Sequence, residues 1–379
     1  MKIVILVRIL WTAGAPKKAI REAKELLNMG HEVELIFLRK SVNMKGYDDI
    51  LAGINYRIIT NQNKSIFVPL FDYITGLFAP DRKGDGRLDY NLIRHFPSYI
   101  SKSPPNYIIC HDQFSGLAGF YAMKKLGVPY SVLMHERVNS TKSGLLSKLA
   151  DRYISKVLKK ACSVIASTDK IAETVRSKYH VACTTNYQGF DKLEFKRYTE
   201  RENILMAISM WDIGRKPTVY LDVLEGIPAY KLYIVGNWRS EKLFTDFCNE
   251  VDKRNLSSRV IILRNVSEYD LNTLYDRTKF VIRFGFGEFG ESHAFFEGLQ
   301  RGVPIIMNSD LGSSELAKKY LVGLVMDKID ISTIREFLLE YDNDESYTKL
   351  QANINKIIAD YTWESHARKL VDCLENTPK

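Results

Sequence analysis

Apolar and polar positions follow two rhythms along this chain. Predominantly apolar blocks occur at residues 2–9, 31–38, 107–110, 130–134, 163–166 and 181–184. A strand with one wet face would place a polar residue at every second position. Blocks without that mixing predict strands covered on both faces, as in a parallel sheet. Between the first two blocks, residues 16–29 carry apolar positions at helical spacing, opened by Pro16 and closed by Gly30. The pattern restarts after Gly189-Phe190-Asp191 and a charged stretch reaching Asn203, with strand-like blocks at 204–209, 231–235, 260–263, 280–284 and 304–308. Ser267-Glu268-Tyr269-Asp270 resembles a capping box and opens a helix toward Tyr275.

This alternation predicts an α/β fold of two Rossmann-like, doubly wound domains facing a cleft. The expected division is 1–190 and 200–358, with a hinge near 188–203 and a segment 359–379 docking back on the first domain through an amphipathic helix at 363–374. Ligands of open α/β sheets bind beyond the carboxyl ends of strands. That rule selects Gly14, His111, His135, Lys216, Gly236 and the loop 285–297.

Composition narrows the function classes. The 379 residues are enough for two cores, and no apolar run is long enough to cross a membrane. The opening MKIVILVRIL lacks a small-residue cleavage site and leads straight into a glycine loop, so it is read as a buried strand rather than a secretory signal. Five scattered cysteines without a CxxC support neither a disulfide framework nor a zinc site, and a cytoplasmic location is expected. Residues 1–190 hold 28 Lys and Arg against 15 Asp and Glu, whereas 191–379 holds 26 against 30. The basic half suits nucleic acid, an anionic membrane or a phosphorylated small molecule. With no RNP-type sequence, zinc knuckle or basic tail, nucleic acid is not expected as a partner.

The stretch FGFGEFGESHAFFEGLQRGVP (284–304) contains Gly285-x-Gly287-x-x-Gly290, follows an apolar block and precedes Asp310 by twenty residues, the outline of a dinucleotide site. Three features oppose that reading. The motif comes late in the second domain rather than in its first βαβ unit. Glu288 and Glu291 would repel a pyrophosphate at the following helix. Phe284 is bulky where a small residue would let the phosphate approach. An NAD-dependent oxidoreductase is retained as the alternative enzyme.

The same stretch also reads Glu288-Phe289-Gly290, Glu297, Gly302-Val303-Pro304, Ser309-Asp310-Leu311-Gly312 and Glu315. In this order the residues resemble the signature of the retaining family-4 glycosyltransferases of the GT-B fold. Gly14 with Gly30-His31-Glu32-Val33, Cys110-His111-Asp112, Met134-His135-Glu136, the segment 185–191, Ile234-Val235-Gly236 and Tyr361-Thr362-Trp363-Glu364 match further landmarks, so the resemblance covers nearly the whole chain.

The resemblance implies transfer of a sugar, with retention, from a nucleotide-diphosphate donor (UDP- or GDP-sugar) held by the C-terminal domain to a hydroxyl acceptor on the N-terminal domain. The acceptor would be a glycan or a lipid-linked molecule. Glu297 maps to the ribose-binding carboxylate, which suits two vicinal hydroxyl donors. The family's first acid precedes the second by eight positions, but Glu288 precedes Glu297 by nine and Phe289 takes the eighth place. Glu288 is therefore the sugar-contacting acid only with a one-residue insertion, and Glu291 is the other candidate. Backbone N–H groups around Gly290, Glu291 and Ser292 are further donor contacts, and Gly14 and Gly236 would allow close backbone approach.

Lys216 matches the family's diphosphate-binding lysine, whereas its arginine is replaced by Met210. Arg215 and Arg283 are the candidates to restore the lost charge, since a departing diphosphate needs cations or oriented amides. His135 maps to a histidine that holds a sugar hydroxyl or stabilises the developing oxocarbenium ion; His111 is a weaker candidate. Met210 and the shifted Glu288 also leave open a non-catalytic nucleotide-sugar-binding protein. Asp342-Asn343-Asp344 is read as a solvated turn, and no metal or other cofactor is expected. Leu145, Leu146, Leu149, Tyr153, Val157 and Leu158 lie at helical spacing among Lys142, Lys148, Arg152, Lys156, Lys159 and Lys160. With the aromatic run 65–80, they suggest peripheral contact with an anionic membrane as one reading and an ordinary core-facing helix as the other.

Overall fold

The computed structural model describes residues 1–10, 14–41, 48–59, 89–135 and 145–375. The chain divides into two compact units, one of residues 1–188 with 363–379 and the other of residues 189–362. The charged stretch expected as a hinge packs within the second unit. There Arg201, buried, donates to the carbonyls of Tyr275, Thr278 and Arg301 at 3.0, 2.9 and 2.7 Å.

The first unit runs β1 (Lys2–Leu10), α1 (Gly14–Asn28), β2 (Glu32–Lys40), α2 (Asp48–Leu51), β3 (Tyr56–Ile58), α3 (Tyr90–Ile100), β4 (Tyr107–His111), α4 (Gln113–Leu126), β5 (Tyr130–Met134), α5 (Leu145–Lys160), β6 (Ser163–Ala166), α6 (Asp169–Tyr179) and β7 (Thr184–Thr185). Its strands form a parallel sheet in the order β3-β2-β1-β4-β5-β6-β7. Chain order reverses between β1 and β4, so the carboxyl ends of β1, β4 and β5 lie side by side at the switch point. Residues 181–183, expected as strand, are not in the sheet; only the edge pair Thr184–Thr185 is, so an apolar block here reflects burial of Cys183 rather than ladder pairing.

The second unit runs β8 (Glu202–Ile208), α7 (Val219–Glu225), β9 (Lys231–Val235), α8 (Glu241–Lys253), β10 (Val260–Leu263), α9 (Glu268–Arg277), β11 (Thr278–Arg283), α10 (His293–Leu299), β12 (Ile305–Asn308), α11 (Ser314–Tyr320), β13 (Gly323–Met326), α12 (Ile331–Tyr341) and α13 (Asp344–Asp360). Its parallel order is β10-β9-β8-β11-β12-β13, with the switch between β8 and β11. Ser267 caps α9 as its sequence predicts, accepting from Asp270 N at 3.1 Å.

The last helix, α14 (Trp363–Glu375), belongs to the first unit. Ala367, Leu370 and Val371 share a core with Ala19, Ala23 and Leu26 of α1. Truncating Leu370 to Ala in this closely packed seam costs about 2–5 kcal/mol.

Candidate functional site

In the second unit, the segment after β8 folds back on the end of β9. Trp211 is fully buried and donates Nε1–H to Val235 O at 3.0 Å. Asp212 accepts from Gly214 N and Arg215 N at 2.9 and 3.1 Å, which closes the turn that presents Arg215 and Lys216. Lys216 has a left-handed backbone (φ 42°) and its Nζ lies 4.5 Å from the centre of the Phe286 ring. Gly236, at the end of β9, is needed for this approach: its φ is 120° and a Cβ there would lie 2.0 Å from Ser209 O.

Arg283, at the end of β11, is buried and directs Nη2 to Glu288 Oε2 at 2.6 Å. Arg215 Nη1 pairs with the same oxygen. The two arginines suggested as replacements for the missing charge at Met210 thus converge on one carboxylate. Burial, together with Asp212 and Asp310, pushes the Glu288 carboxyl up to about 7 against the pull of Arg215. Glu291, half-buried, lies farther along the loop with Phe289 and Gly290.

The glycines of the GxGxxG serve the loop itself. A Cβ on Gly285 would meet Leu311 at 2.8 Å, and Gly287 has φ 79°. Asn308, the last residue of β12, accepts from Gly285 N at 2.7 Å and donates to Gly285 O at 2.8 Å. Asp310, the ribose ligand of the dinucleotide reading, instead accepts from Gly287 N at 3.4 Å. The motif also follows β11 rather than the first strand of its sheet. The dinucleotide reading is therefore replaced by a loop pinned to the neighbouring turn.

Ser313 Oγ accepts from Ser292 N at 2.9 Å, while the buried Ser292 Oγ has no hydrogen-bond partner among the described residues. On α10, Glu297 is half-buried and accepts from the Tyr275 hydroxyl at 3.0 Å. Asn308, Ser313 and Tyr275 escape a reading by motif, because each acts through tertiary contacts to a residue more than twenty positions away.

In the first unit, Gly14 opens α1 beside the end of β1, and His111 and His135 lie at the adjacent ends of β4 and β5. His111 is buried and contacts His135, Nδ1 to Nε2, at 3.0 Å, so it stands behind His135 and touches no solvent. The turn after His111 is held by Asp112, whose φ of 102° is strained for a residue other than glycine. Its carboxylate accepts from Phe114 N and Ser115 N at 2.8 and 2.7 Å, and Arg8 Nε lies 3.7 Å away.

Beneath the histidines lies a residue that motif reading missed. Glu22 of α1 is fully buried; its Oε2 is 2.8 Å from His111 Nε2, and its Oε1 is 2.8 Å from His366 Nε2 on α14. Burial works to raise the Glu22 carboxyl, but the two histidines outweigh it and hold it well below the usual carboxylate range. The signal was a carboxylate inside the apolar stripe of α1, between Ala19 and Ala23.

Asp342 is not a solvated turn residue. It pairs with the buried Lys279 at 2.6 Å and accepts from Tyr198 at 2.9 Å, while Asn343 caps α13. Among the described residues, no group of three His, Cys, Asp or Glu side chains is arranged to hold a metal ion.

Residues 14–191 match the family model Glycosyltransferase Family 4. The whole chain is similar in fold to HepE from Anabaena solved with UDP and glucose (TM-score 0.77, 14% identity, 99% of each chain). It is also similar to sucrose-phosphate synthase from Thermosynechococcus elongatus (TM-score 0.76, 14% identity, 99% of this chain and 98% of that one). TarM gives a TM-score of 0.73 at 14% identity over 98% of each chain. A sequence search of curated proteins finds no match. Residues 14–191 are a Glycosyltransferase Family 4 domain, and the chain is a glycosyltransferase of the GT-B fold.

Proposed function

We propose that the protein transfers a sugar, with retention, from a nucleotide-diphosphate donor to a hydroxyl of a glycan or lipid-linked acceptor. The observation that carries the donor assignment is the gathering of Arg215, Lys216 and Arg283 at the carboxyl ends of β8 and β11, beside the loop that leads to Glu297. Three cations there can neutralise a departing diphosphate, a task that in other enzymes falls to a metal ion. Glu297, oriented by Tyr275, offers acceptor oxygens to a ribose diol. Glu288 contacts the sugar, with the backbone of Gly290, Glu291 and Ser292 alongside. In the first unit, His135 meets a hydroxyl of the transferring sugar. UDP is the favoured donor nucleotide, because HepE was solved with UDP.

A thermal-shift panel of UDP-, GDP- and ADP-sugars, NAD and NADP tests the reading, since a ligand that binds the native state raises Tm by mass action. A rise with a UDP- or GDP-sugar, followed by transfer in the presence of EDTA, is expected. Stabilisation by NAD alone, or donor binding with neither hydrolysis nor transfer, would refute it. The cytoplasmic location, with the basic first unit resting on an anionic membrane face, is part of the same proposal. No helix among the described residues is long and apolar enough to cross a membrane.

A further inference from the structure

Glu288 stands where a diphosphate would have to bind. Its Oε2 receives Nη2 of Arg283 at 2.6 Å and Nη1 of Arg215, the two arginines assigned above to the departing anion. A carboxylate and a phosphate make the same demand on a guanidinium, an anionic oxygen in line with its N–H fork. Arg283 is buried and directs Nη1 to the carbonyl of Phe284, so it is not placed to swing out toward a ligand. The ligand must come to the position that Glu288 holds.

The contact is built to open. Its loop is pinned on one side by Asn308 on Gly285 and on the other by Ser313 on Ser292. Glu288 lies between the pins, directly after Gly287, whose φ is 79° and beside which a Cβ would meet nothing within 4 Å. Solvent reaches both partners: Glu288 and Arg215 expose 26% and 30% of their side chains. Asp212 of the β8–α7 segment and Asp310 of the turn after β12 face the same carboxylate, and Tyr220 of α7 is close to it. Burial and the two acids push the Glu288 carboxyl up to about 7, so its charged, arginine-bound form is weakly held near neutral pH.

We propose that Glu288 is an internal competitor of the donor: it occupies Arg215 and Arg283 in the ligand-free enzyme, yields both to the incoming diphosphate, and takes them back as the nucleoside diphosphate leaves. The competitor role rests on the donor assignment made above and adds an order of events to it. A nucleotide sugar is a diphosphate diester with two negative charges and no ionisation near neutrality. Once it holds the guanidiniums, Glu288 has lost two cations and gained a dianion as neighbour, so its carboxyl takes a proton from water. In that form it can donate to a hydroxyl of the sugar. After transfer, the return of Glu288 to the arginines works against retention of the product on the cations.

Calorimetry with UDP-glucose on the full chain tests this. In the wild type, Kd should rise about tenfold from pH 6 to pH 8, with uptake of about one proton per ligand at pH 8, read from two buffers of different ionisation enthalpy. Glu288→Gln should bind about tenfold more tightly than the wild type at pH 8, about equally at pH 6, and without the slope. Glu291→Gln removes the same charge from the same loop without touching the arginine contact, and should keep the slope. A flat wild-type profile, a slope that survives in Glu288→Gln and so belongs to another group such as His293, or equal flattening in Glu291→Gln would each overturn the proposal.

Should Glu288→Gln fail to fold, the wild-type proton uptake decides, and none at pH 8 rules the competition out. If neither UDP-glucose nor GDP-mannose binds wild type or variant, the donor assignment fails. Inorganic pyrophosphate at pH 8 then judges Glu288 separately: binding about tenfold tighter in Glu288→Gln supports displacement of the carboxylate, and equal or no binding refutes it.

Discussion

Glu22 in the first unit and Glu288 in the second each sit between two basic side chains at a sheet switch point. Glu22 has one partner per oxygen, no exposure, and a carboxyl held low. Glu288 receives both arginines on a single oxygen, keeps about a quarter of its side chain exposed (26%), and is pushed up to about 7. The first arrangement pairs each oxygen with a buried histidine from inside the fold and is closed to solvent. The second crowds two guanidiniums onto one oxygen beside two further acids, an arrangement that an incoming diphosphate can take over. Similar chemistry is thus fully enclosed in one unit and open to solvent in the other, where the proposed donor site lies.

Removing the carboxylates should separate the two roles most sharply. Glu22→Ala leaves His366 and His111 buried without the carboxylate that they face, and should cost the first unit about 3–5 kcal/mol. Glu288→Ala should cost the second unit less, under about 2 kcal/mol, because its ionised form is disfavoured where it stands and water can reach it. Denaturant unfolding followed by probes placed in each unit measures both, since a chain of two units need not unfold in one step. Equal losses would erase the distinction.

Ligand binding sharpens it next. Arg283→Ala should lower donor turnover about 10- to 100-fold, more than Arg215→Ala, because Arg283 is buried and less able to be replaced by water. Glu288→Gln should tighten UDP binding, by freeing both guanidiniums, while slowing transfer. Calorimetry with UDP and single-turnover transfer give the two numbers separately. Undiminished turnover in Arg283→Ala would remove that residue from the donor site.

The pH dependence of stability has opposite signs in the two units. Glu288 binds its proton more tightly folded than unfolded, so its contribution is full below about 4.5 and is lost as pH rises to about 7. Glu22 binds its proton less tightly when folded. Its contribution is full above the ordinary carboxylate range and is lost as acid protonates the folded form. The second unit of Glu288→Gln should therefore lose the slope between these limits that the wild type shows. A slope that survives the substitution assigns it to another group.

The sheets were legible in the sequence because parallel strands covered on both faces read as predominantly apolar blocks. β5, β6, β9 and β10 fall on the expected residues. The short edge strands β3 and β13 were not, because little burial marks them beyond their neighbours; β7 was expected at 181–184 but pairs only at Thr184–Thr185, and α3 was hidden by Pro97 inside it. At the site, residues at strand ends could be named, since position in a parallel fold assigns them. The partners that orient them could not. Glu22 and His366 are 344 positions apart and meet only because α14 returns to α1. Their trace in sequence is a polar residue in each apolar stripe, Glu22 among Ala19, Ala23 and Leu26, and His366 beside Trp363, Ala367 and Leu370.

The weakest expected effect concerns charge that neither unit gathers at its site. The first unit keeps much of its positive charge outside, as on α5, where Arg152, Lys156, Lys159 and Lys160 are exposed. Val157 and Leu158, part of the apolar face for which both a membrane and a core reading were open, are 1% exposed each and belong to the core. The side chains of 145–150 and the aromatic run 65–80 lie outside the described residues. What α5 offers a membrane is therefore electrostatic, about 1 kcal/mol per basic residue near an anionic surface, and it should vanish with salt. Cosedimentation should show weak binding to anionic vesicles at low salt, none to neutral ones, and loss on replacing those four residues with glutamine. Binding that persists in high salt would mean that apolar residues insert, contrary to the burial of Val157 and Leu158. No binding to either vesicle would refute the membrane contact proposed for the first unit.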